Sequence, residues 1–142
     1  MPETVETFGL EDPRMREFLT NYTLAWADPT REKLETLWVD GECEYHIPER
    51  DEPMRGRDEI VGFVTHWLGI APDLRLHPVF AAANGDTIYI QYRARGTFDG
   101  NVAGWWEVVT RFDLAPDSGR ALRGESFITP PPVLEVTERG ID

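Results

Sequence analysis

The stretch Asn84-Gly85-Asp86-Thr87-Ile88-Tyr89-Ile90-Gln91-Tyr92-Arg93-Ala94-Arg95-Gly96-Thr97 decides the fold. Asn-Gly ahead of an alternating run is the strongest short hairpin signal, because a tight primed turn needs residues that tolerate positive φ. Beyond the turn, Ile88, Ile90, Tyr92 and Ala94 fall on one side and Tyr89, Gln91, Arg93 and Arg95 on the other. That period of two predicts a half-buried strand from Thr87 to Thr97. Toward the C-terminus, Asp99-Gly100 predicts a second hairpin turn. Val102 to Leu114 then reads as a long strand with Trp106, Val108, Thr110 and Phe112 on one face. Pro116-Asp117-Ser118-Gly119 turns the chain again, Arg120 to Thr129 reads as the last strand, and Pro130-Pro131-Pro132 ends it. Toward the N-terminus, Leu74 to Ala83 reads as a strand interrupted by Pro78, which marks a bulge or an edge. The back half is thus a four-stranded antiparallel meander.

The front half has a different period. Asp12-Pro13 gives a helix cap and a proline at the first helical position. Met15, Phe18, Leu19, Tyr22 and Trp26 follow at spacings of three and four, one apolar stripe. Asp28-Pro29-Thr30 breaks that helix and starts a second, whose stripe Leu34, Leu37, Trp38 runs until Asp40-Gly41. Glu42 to Ile47 alternates as a short strand, with Cys43, Tyr45 and Ile47 opposite Glu42, Glu44 and His46. Pro48 to Arg55 reads as a charged loop. A third helix follows, with Asp58 as cap, Ile60, Phe63, Val64, Trp67 and Leu68 as stripe, and Gly69 as stop. Residues Met1 to Gly9 and the acidic end of the chain read as a flexible arm and tail.

Helices laid over one face of a twisted antiparallel meander define an α+β domain. A strongly twisted sheet curves, and helices across its concave side leave a cone-shaped hollow, the kind of place where small molecules bind. The expectation is one domain over residues 1–142, with its core at about 12–130. The chain has 142 residues, five of them tryptophan, and 41% are hydrophobic. A core of this size forms without staples.

The formal net charge is −12, from 14 Lys and Arg against 26 Asp and Glu. Such a surface repels phosphate backbones and anionic lipid, so neither nucleic acid nor membrane is an expected partner. The single cysteine, Cys43, rules out an intramolecular disulfide and any cysteine-based zinc site. No His and carboxylate set has metal-ligand spacing, and no phosphate loop, dinucleotide fingerprint or nucleophile elbow is present, so neither metal nor cofactor is expected. The N-terminus lacks signal-peptide character, which makes the cytoplasm the expected location.

Four segments together carry a resemblance: Asn21-Tyr22-Thr23-Leu24-Ala25-Trp26, Leu34-Glu35-Thr36-Leu37-Trp38-Val39-Asp40-Gly41, Glu44-Tyr45-His46-Ile47-Pro48, and Arg55-Gly56-Arg57-Asp58-Glu59-Ile60. They are similar to the SnoaL-like branch of the nuclear transport factor 2-like superfamily, home of ketosteroid isomerases and polyketide cyclases. The resemblance covers roughly residues 12 to 130, and it implies the cystatin-like roll of that branch. It also implies positions for chemistry. The isomerase base, an aspartate, corresponds in place to His46. The phenol of the oxyanion hole corresponds to Tyr22. The second oxyanion donor falls on or near Thr110, and the cyclase acid near Thr129, neither of which is acidic here.

The residues themselves leave two readings open. His46 has the right intrinsic pKa for proton transfer near neutrality. Strand alternation sets it opposite Tyr45 and Ile47, on the polar side, unless a bulge at Pro48 turns it inward. Tyr22 is a pocket donor or a core tyrosine bonded to a carbonyl. Trp26, Phe63 and Trp67 on the helical stripes, with Tyr92, Trp106 and Val108 on the inward strand faces, would form an apolar wall for substrate. Trp105, on the opposite side from Trp106, with Tyr89 and Val109 would make an outward apolar patch and a homodimer contact. Arg93, Arg95 and Arg111 are either cross-strand ion-pair partners or an anion clamp. The expected function is a cofactor-free isomerase, cyclase or lyase. It would perform acid–base chemistry on a hydrophobic carbonyl compound through His46, Tyr22 and Thr110. The alternative is a non-catalytic ligand-binding or dimerisation domain.

Overall fold

A computed structural model describes residues 5–48, 50–98 and 101–128, with the backbone alone for 101–106 and 128. Its elements are β1 (Glu6–Phe8), α1 (Pro13–Ala27), α2 (Arg31–Glu35), β2 (Glu44–His46), β3 (Met54–Arg55), α3 (Arg57–Ile70), β4 (Arg75–Asn84), β5 (Thr87–Phe98), β6 (Asn101–Leu114) and β7 (Ala121–Ile128). The strands form one seven-stranded sheet in the order β1-β4-β5-β6-β7-β2-β3. The sheet is curved and unclosed, with three helices over it, so the α+β architecture expected from the alternating pattern is the observed one.

Neighbours β4 to β7 pair antiparallel, as the meander requires. Gly85 takes φ 63 at the Asn-Gly turn, the left-handed conformation that recommended it. Register shifts fall between Pro78 and Phe80, between Ala94 and Gly96, and between Asp113 and Leu114. Each such irregularity adds local twist, and three of them in successive pairs bend the sheet around the helices.

The front of the chain joins the sheet through its last strand. β2 pairs parallel with β7, Tyr45 opposite Gly124 and His46 opposite Glu125. Before it, Val39 N–H donates to Ala121 O at 3.1 Å and Ala121 N–H to Leu37 O at 2.8 Å. These bonds explain why α2 stops at Glu35 rather than continuing to Asp40 as its apolar period suggested. Trp38 stands at the changeover: its own N–H still reaches Glu35 O at 3.3 Å, while the residues on either side of it bond to Ala121.

Other boundaries also depart from the sequence reading. Part of the expected loose arm is β1, which pairs parallel with β4 from Glu6 opposite Phe80 to Phe8 opposite Ala82. Three exposed residues carry no periodic signal to announce it. Met54 and Arg55, read as loop, pair with Tyr45 and Glu44. The N-cap of α3 is Gly56, at φ 87 with no side-chain cap bond, so Asp58 lies inside the first turn and acts on the helix dipole instead. That helix passes Gly69 and ends at Ile70, ahead of Pro72. Asp12 and Thr30 do cap α1 and α2, accepting from Arg14 N–H at 2.9 Å and Lys33 N–H at 3.2 Å.

The core lies between α1 and the concave sheet face. Met15, Phe18 and Tyr22 of α1 are buried with Ile88, Ile90, Tyr92 and Ala94 of β5. Phe112 of β6 anchors the narrow end, its ring 5.0 Å from Phe18, 5.5 Å from Tyr22 and 5.9 Å from Trp38.

Candidate functional site

Between the helices and the sheet the cone stays open as a cavity of about 620 Å³. That volume suits a drug-sized or metabolite-sized ligand. Tyr22 and Trp26 of α1 form one side, and Leu34, Leu37 and Trp38 continue it around the narrow end. Phe63, Val64 and Trp67 of α3 form the opposite side, where Phe63 and Phe98 both meet Trp67 edge-on at 6.4 and 6.2 Å. The sheet contributes Tyr45, Tyr92, Ala94, Val108 and Phe112.

Of the residues expected to form the apolar wall, Trp26, Phe63, Trp67, Tyr92 and Val108 line this cavity. The side chains of Trp105 and Trp106 lie outside the described residues, as do Asp99-Gly100, Thr129 and the C-terminal tail. Backbone pairing sets Trp106 opposite Ala94.

On the sheet side, a cluster of hydroxyl groups meets the apolar hollow. The Tyr92 hydroxyl is 2.9 Å from Thr110 Oγ1, and Thr110 Oγ1 is 2.8 Å from Ser126 Oγ. Ser126 Oγ in turn shares a short hydrogen bond with the Tyr45 hydroxyl. Thr110 and Ser126 are each only 1% exposed, so without these bonds each would be a buried polar group with a substantial desolvation cost. Tyr22 stands beside this row, its ring 5.9 Å from that of Tyr92.

Burial pushes the Tyr22 phenol well above its ordinary value, and the neighbouring Tyr92 and Tyr45 push it further. Burial also raises Tyr92, partly offset by hydrogen bonds from Thr110, Tyr22 and Ser126. Both are therefore neutral phenols at physiological pH, able to donate a hydrogen bond to a ligand oxygen. Thr110 does not itself line the cavity; it supports Tyr92 from behind.

The expectation that His46 carries a proton in the cavity is corrected by its placement. No bulge turns β2 over, so His46 points to the face opposite Tyr45 and is absent from the cavity wall. There its Nε2 lies 3.2 Å from Glu44 Oε1, in a surface row that continues through Arg123 to Glu125 and Arg111. Alternation alone had favoured this outcome. Two arginines considered as an anion clamp are likewise cross-strand partners, Arg93 with Glu107 at 3.7 Å and Arg111 with Glu125 at 3.2 Å.

Among the described residues, no histidine or carboxylate lines the cavity. Arg50, in the loop after β2, is the one permanently charged group among the described residues that line it. Nor does any group of three or more His, Cys, Asp or Glu among them stand where it could hold a metal ion. Sequence reasoning missed Tyr45 and Ser126. Tyr45 was visible on the inward side of its strand, but Ser126 has meaning only through its register with Thr110.

A helix-capped cone on an open sheet is the NTF2-like architecture. The chain belongs to the SnoaL-like domain family, which matches residues 16–125. An NTF2-like protein of unknown function from Burkholderia pseudomallei K96243 has the same fold at 14% identity and TM-score 0.73, over 92% of this chain and 100% of that one. A protein with a ketosteroid isomerase-like fold from Catenulispora acidiphila DSM 44928, in complex with trimethylamine, superposes with TM-score 0.68 at 18% identity, over 80% and 85% of the two chains. TerC, co-crystallised with polyporic acid, gives TM-score 0.71 at 17% identity over 88% and 96%. No curated protein is similar enough in sequence to count as a relative. No helix among the described residues is long and apolar enough to cross a membrane.

Proposed function

We propose that the chain binds a hydrophobic carbonyl compound in the cone, with the carbonyl oxygen on the phenols, and acts on it without a cofactor. The observation that carries this reading is the meeting of Tyr22, Tyr45 and Tyr92 in a cavity of about 620 Å³ whose other described walls are apolar apart from Arg50. Neutral phenols preorganised in a dry site stabilise charge developing on an oxygen, and one such donor is worth about 3 kcal/mol in catalysis. Enolisation, ring closure onto a carbonyl and loss of water all develop charge there, which suits an isomerase, cyclase or lyase. The protein would work in the cytoplasm as a single domain, paired through the outer sheet face around Tyr89 and Phe127, which are 43% and 50% exposed.

The second reading is a binding protein that performs no reaction. Its support is the lack of a histidine or carboxylate on the described cavity wall, which leaves no conventional proton acceptor.

The test of the first reading is binding of matched probes followed by tryptophan fluorescence, since Trp26, Trp38 and Trp67 line the site. 2-Acetonaphthone and 2-ethylnaphthalene have similar shapes, but only the ketone can accept a hydrogen bond. The ketone should bind about tenfold more tightly, the equivalent of one net hydrogen bond. Equal affinity would remove the phenols from recognition. Polyporic acid, the molecule in the TerC crystal, serves as a third probe.

A further inference from the structure

Arg50 follows β2, whose Tyr45 and Ile47 form part of the same cavity wall. Its backbone N–H donates to Ile47 O at 3.2 Å, so the chain turns there and brings Arg50 against the hollow. Ile47 is buried and Arg50 is exposed, which sets the guanidinium at the rim. The rings of Tyr22 and Tyr92 are buried deeper in the cone. The described wall therefore offers two kinds of polar group, neutral hydroxyls within and a cation at the opening.

The charge balance of the chain makes this arginine unusual. Acids outnumber bases by 26 to 14. Elsewhere the arginines find them: Arg57 has Asp40 at 2.9 Å, Arg93 has Glu107 at 3.7 Å, Arg111 has Glu125 at 3.2 Å and Arg123 has Glu44 at 3.8 Å. Among the described residues, no carboxylate pairs with Arg50, and none lines the cavity it faces. A guanidinium with an open fork is a receptor for a planar anion, which it holds through two parallel N–H bonds. The field of the whole chain acts the other way, because a net charge of −12 repels any anion that approaches. A small inorganic anion has nothing to offset that repulsion. An anion attached to an apolar body does, because the rings leave water as they enter the cone.

We propose that the ligand is an amphipathic acid, with its apolar body in the cone and its carboxylate on Arg50. Arg50 is then a specificity-determining residue: it selects the acid and fixes which end of the molecule points inward, and it takes no part in the chemistry. The proposal rests on the reading that a hydrophobic molecule occupies the cone. It adds an anionic handle at the mouth to the carbonyl that meets the phenols.

The test is calorimetric titration near neutral pH with 2-naphthylacetate and 2-naphthylacetamide, which share one shape and differ in charge. The wild type should bind the acid about fivefold more tightly than the amide, the upper range for a solvent-exposed ion pair. Added salt should weaken that preference. Arg50→Gln should bind the amide as before and the acid less tightly than the amide, since only the repulsive field of the chain is left. Arg50→Lys should keep part of the preference, as a point charge without the fork. Arg120→Gln removes the same charge from a residue that does not line the cone, and it should leave the preference intact. A wild type that binds the amide as tightly as the acid would overturn the proposal, and so would a preference that survives Arg50→Gln. Either result leaves the carbonyl reading standing, because that reading is judged by 2-acetonaphthone against 2-ethylnaphthalene. Failure of all four naphthalenes to bind would overturn both.

Discussion

Gly124 lies directly beneath the Trp38 indole: a Cβ on this residue would stand 2.9 Å from Cη2 of Trp38 and 3.0 Å from Cδ1 of Tyr45. Both rings line the cavity, so the bare backbone of β7 sets how far they sit back from it. Gly124→Ala should push them into the hollow and destabilise the fold by about 1–3 kcal/mol, the usual cost of overpacking. Urea denaturation measures the loss, and affinity for 2-acetonaphthone should fall with it. An unchanged midpoint would mean that the two rings have room to retreat.

Tyr92→Phe removes the hydroxyl at one end of the polar row while keeping the ring. Thr110 then loses one bonded neighbour but keeps Ser126 at 2.8 Å, so the fold should lose only about 0.5–1.5 kcal/mol. Affinity for 2-acetonaphthone should drop severalfold and that for 2-ethylnaphthalene should hold. Equal losses for both probes would mark Tyr92 as a shape residue only.

His46→Ala should leave ligand affinity unchanged and lower stability by about 1 kcal/mol or less, as expected for a half-buried residue outside the cavity. A titration of the cavity with either naphthalene probe decides it, since a tenfold loss would return His46 to the site.

Glu44 gives a pH signature on the same outer face. Its carboxyl is held below the ordinary value of 4.5, first by the hydrogen bond from His46, then by His46, Arg123 and Arg55 as nearby charges. A depressed folded pKa means that the folded state favours the carboxylate. The contribution is complete above the ordinary value and disappears as pH falls below it toward the folded value. The difference in urea midpoint between wild type and Glu44→Gln should therefore shrink as pH falls below 4.5. A difference that grew on acidification would have the wrong sign.

Phe127→Asp tests pairing through the outer face. Phe127 stands opposite Val109 and is 50% exposed, so the new charge would fall on the outer apolar surface. Sedimentation should show a dimer for the wild type and a monomer for the variant, with 2-acetonaphthone binding retained. A monomeric wild type would end the proposal.

The fold was legible because its signals are local. Asn84-Gly85 and the alternation of Ile88, Ile90, Tyr92 and Ala94 need no knowledge of the rest of the chain. The stripe from Met15 to Trp26 likewise declares a buried face by spacing alone. What stayed hidden depends on partners distant in sequence. β1 exists because β4 offers it an edge, and α2 stops because Ala121 takes the backbone groups of Leu37 and Val39. Inheritance of position pointed to His46, while the pleat of its own strand pointed away, and the pleat prevailed. Ser126 carried no signal of its own until its register set it between Thr110 and Tyr45. Polar clusters inside apolar cavities are assembled by register, and a single sequence does not print register between strands that are far apart.

The bond between Tyr45 and Ser126 spans 81 positions of the chain. During synthesis the front half must wait for the last strand, since β7 supplies the only described parallel neighbour of β2. Until then Trp38 and Tyr45 lack their support, and the apolar stripes of the helices have only a partial sheet to cover them. Long-range pairing of this kind slows folding and prolongs exposure to aggregation. A ribosome that stalled before Ala121 would therefore hold a sticky intermediate and not a smaller version of the cone.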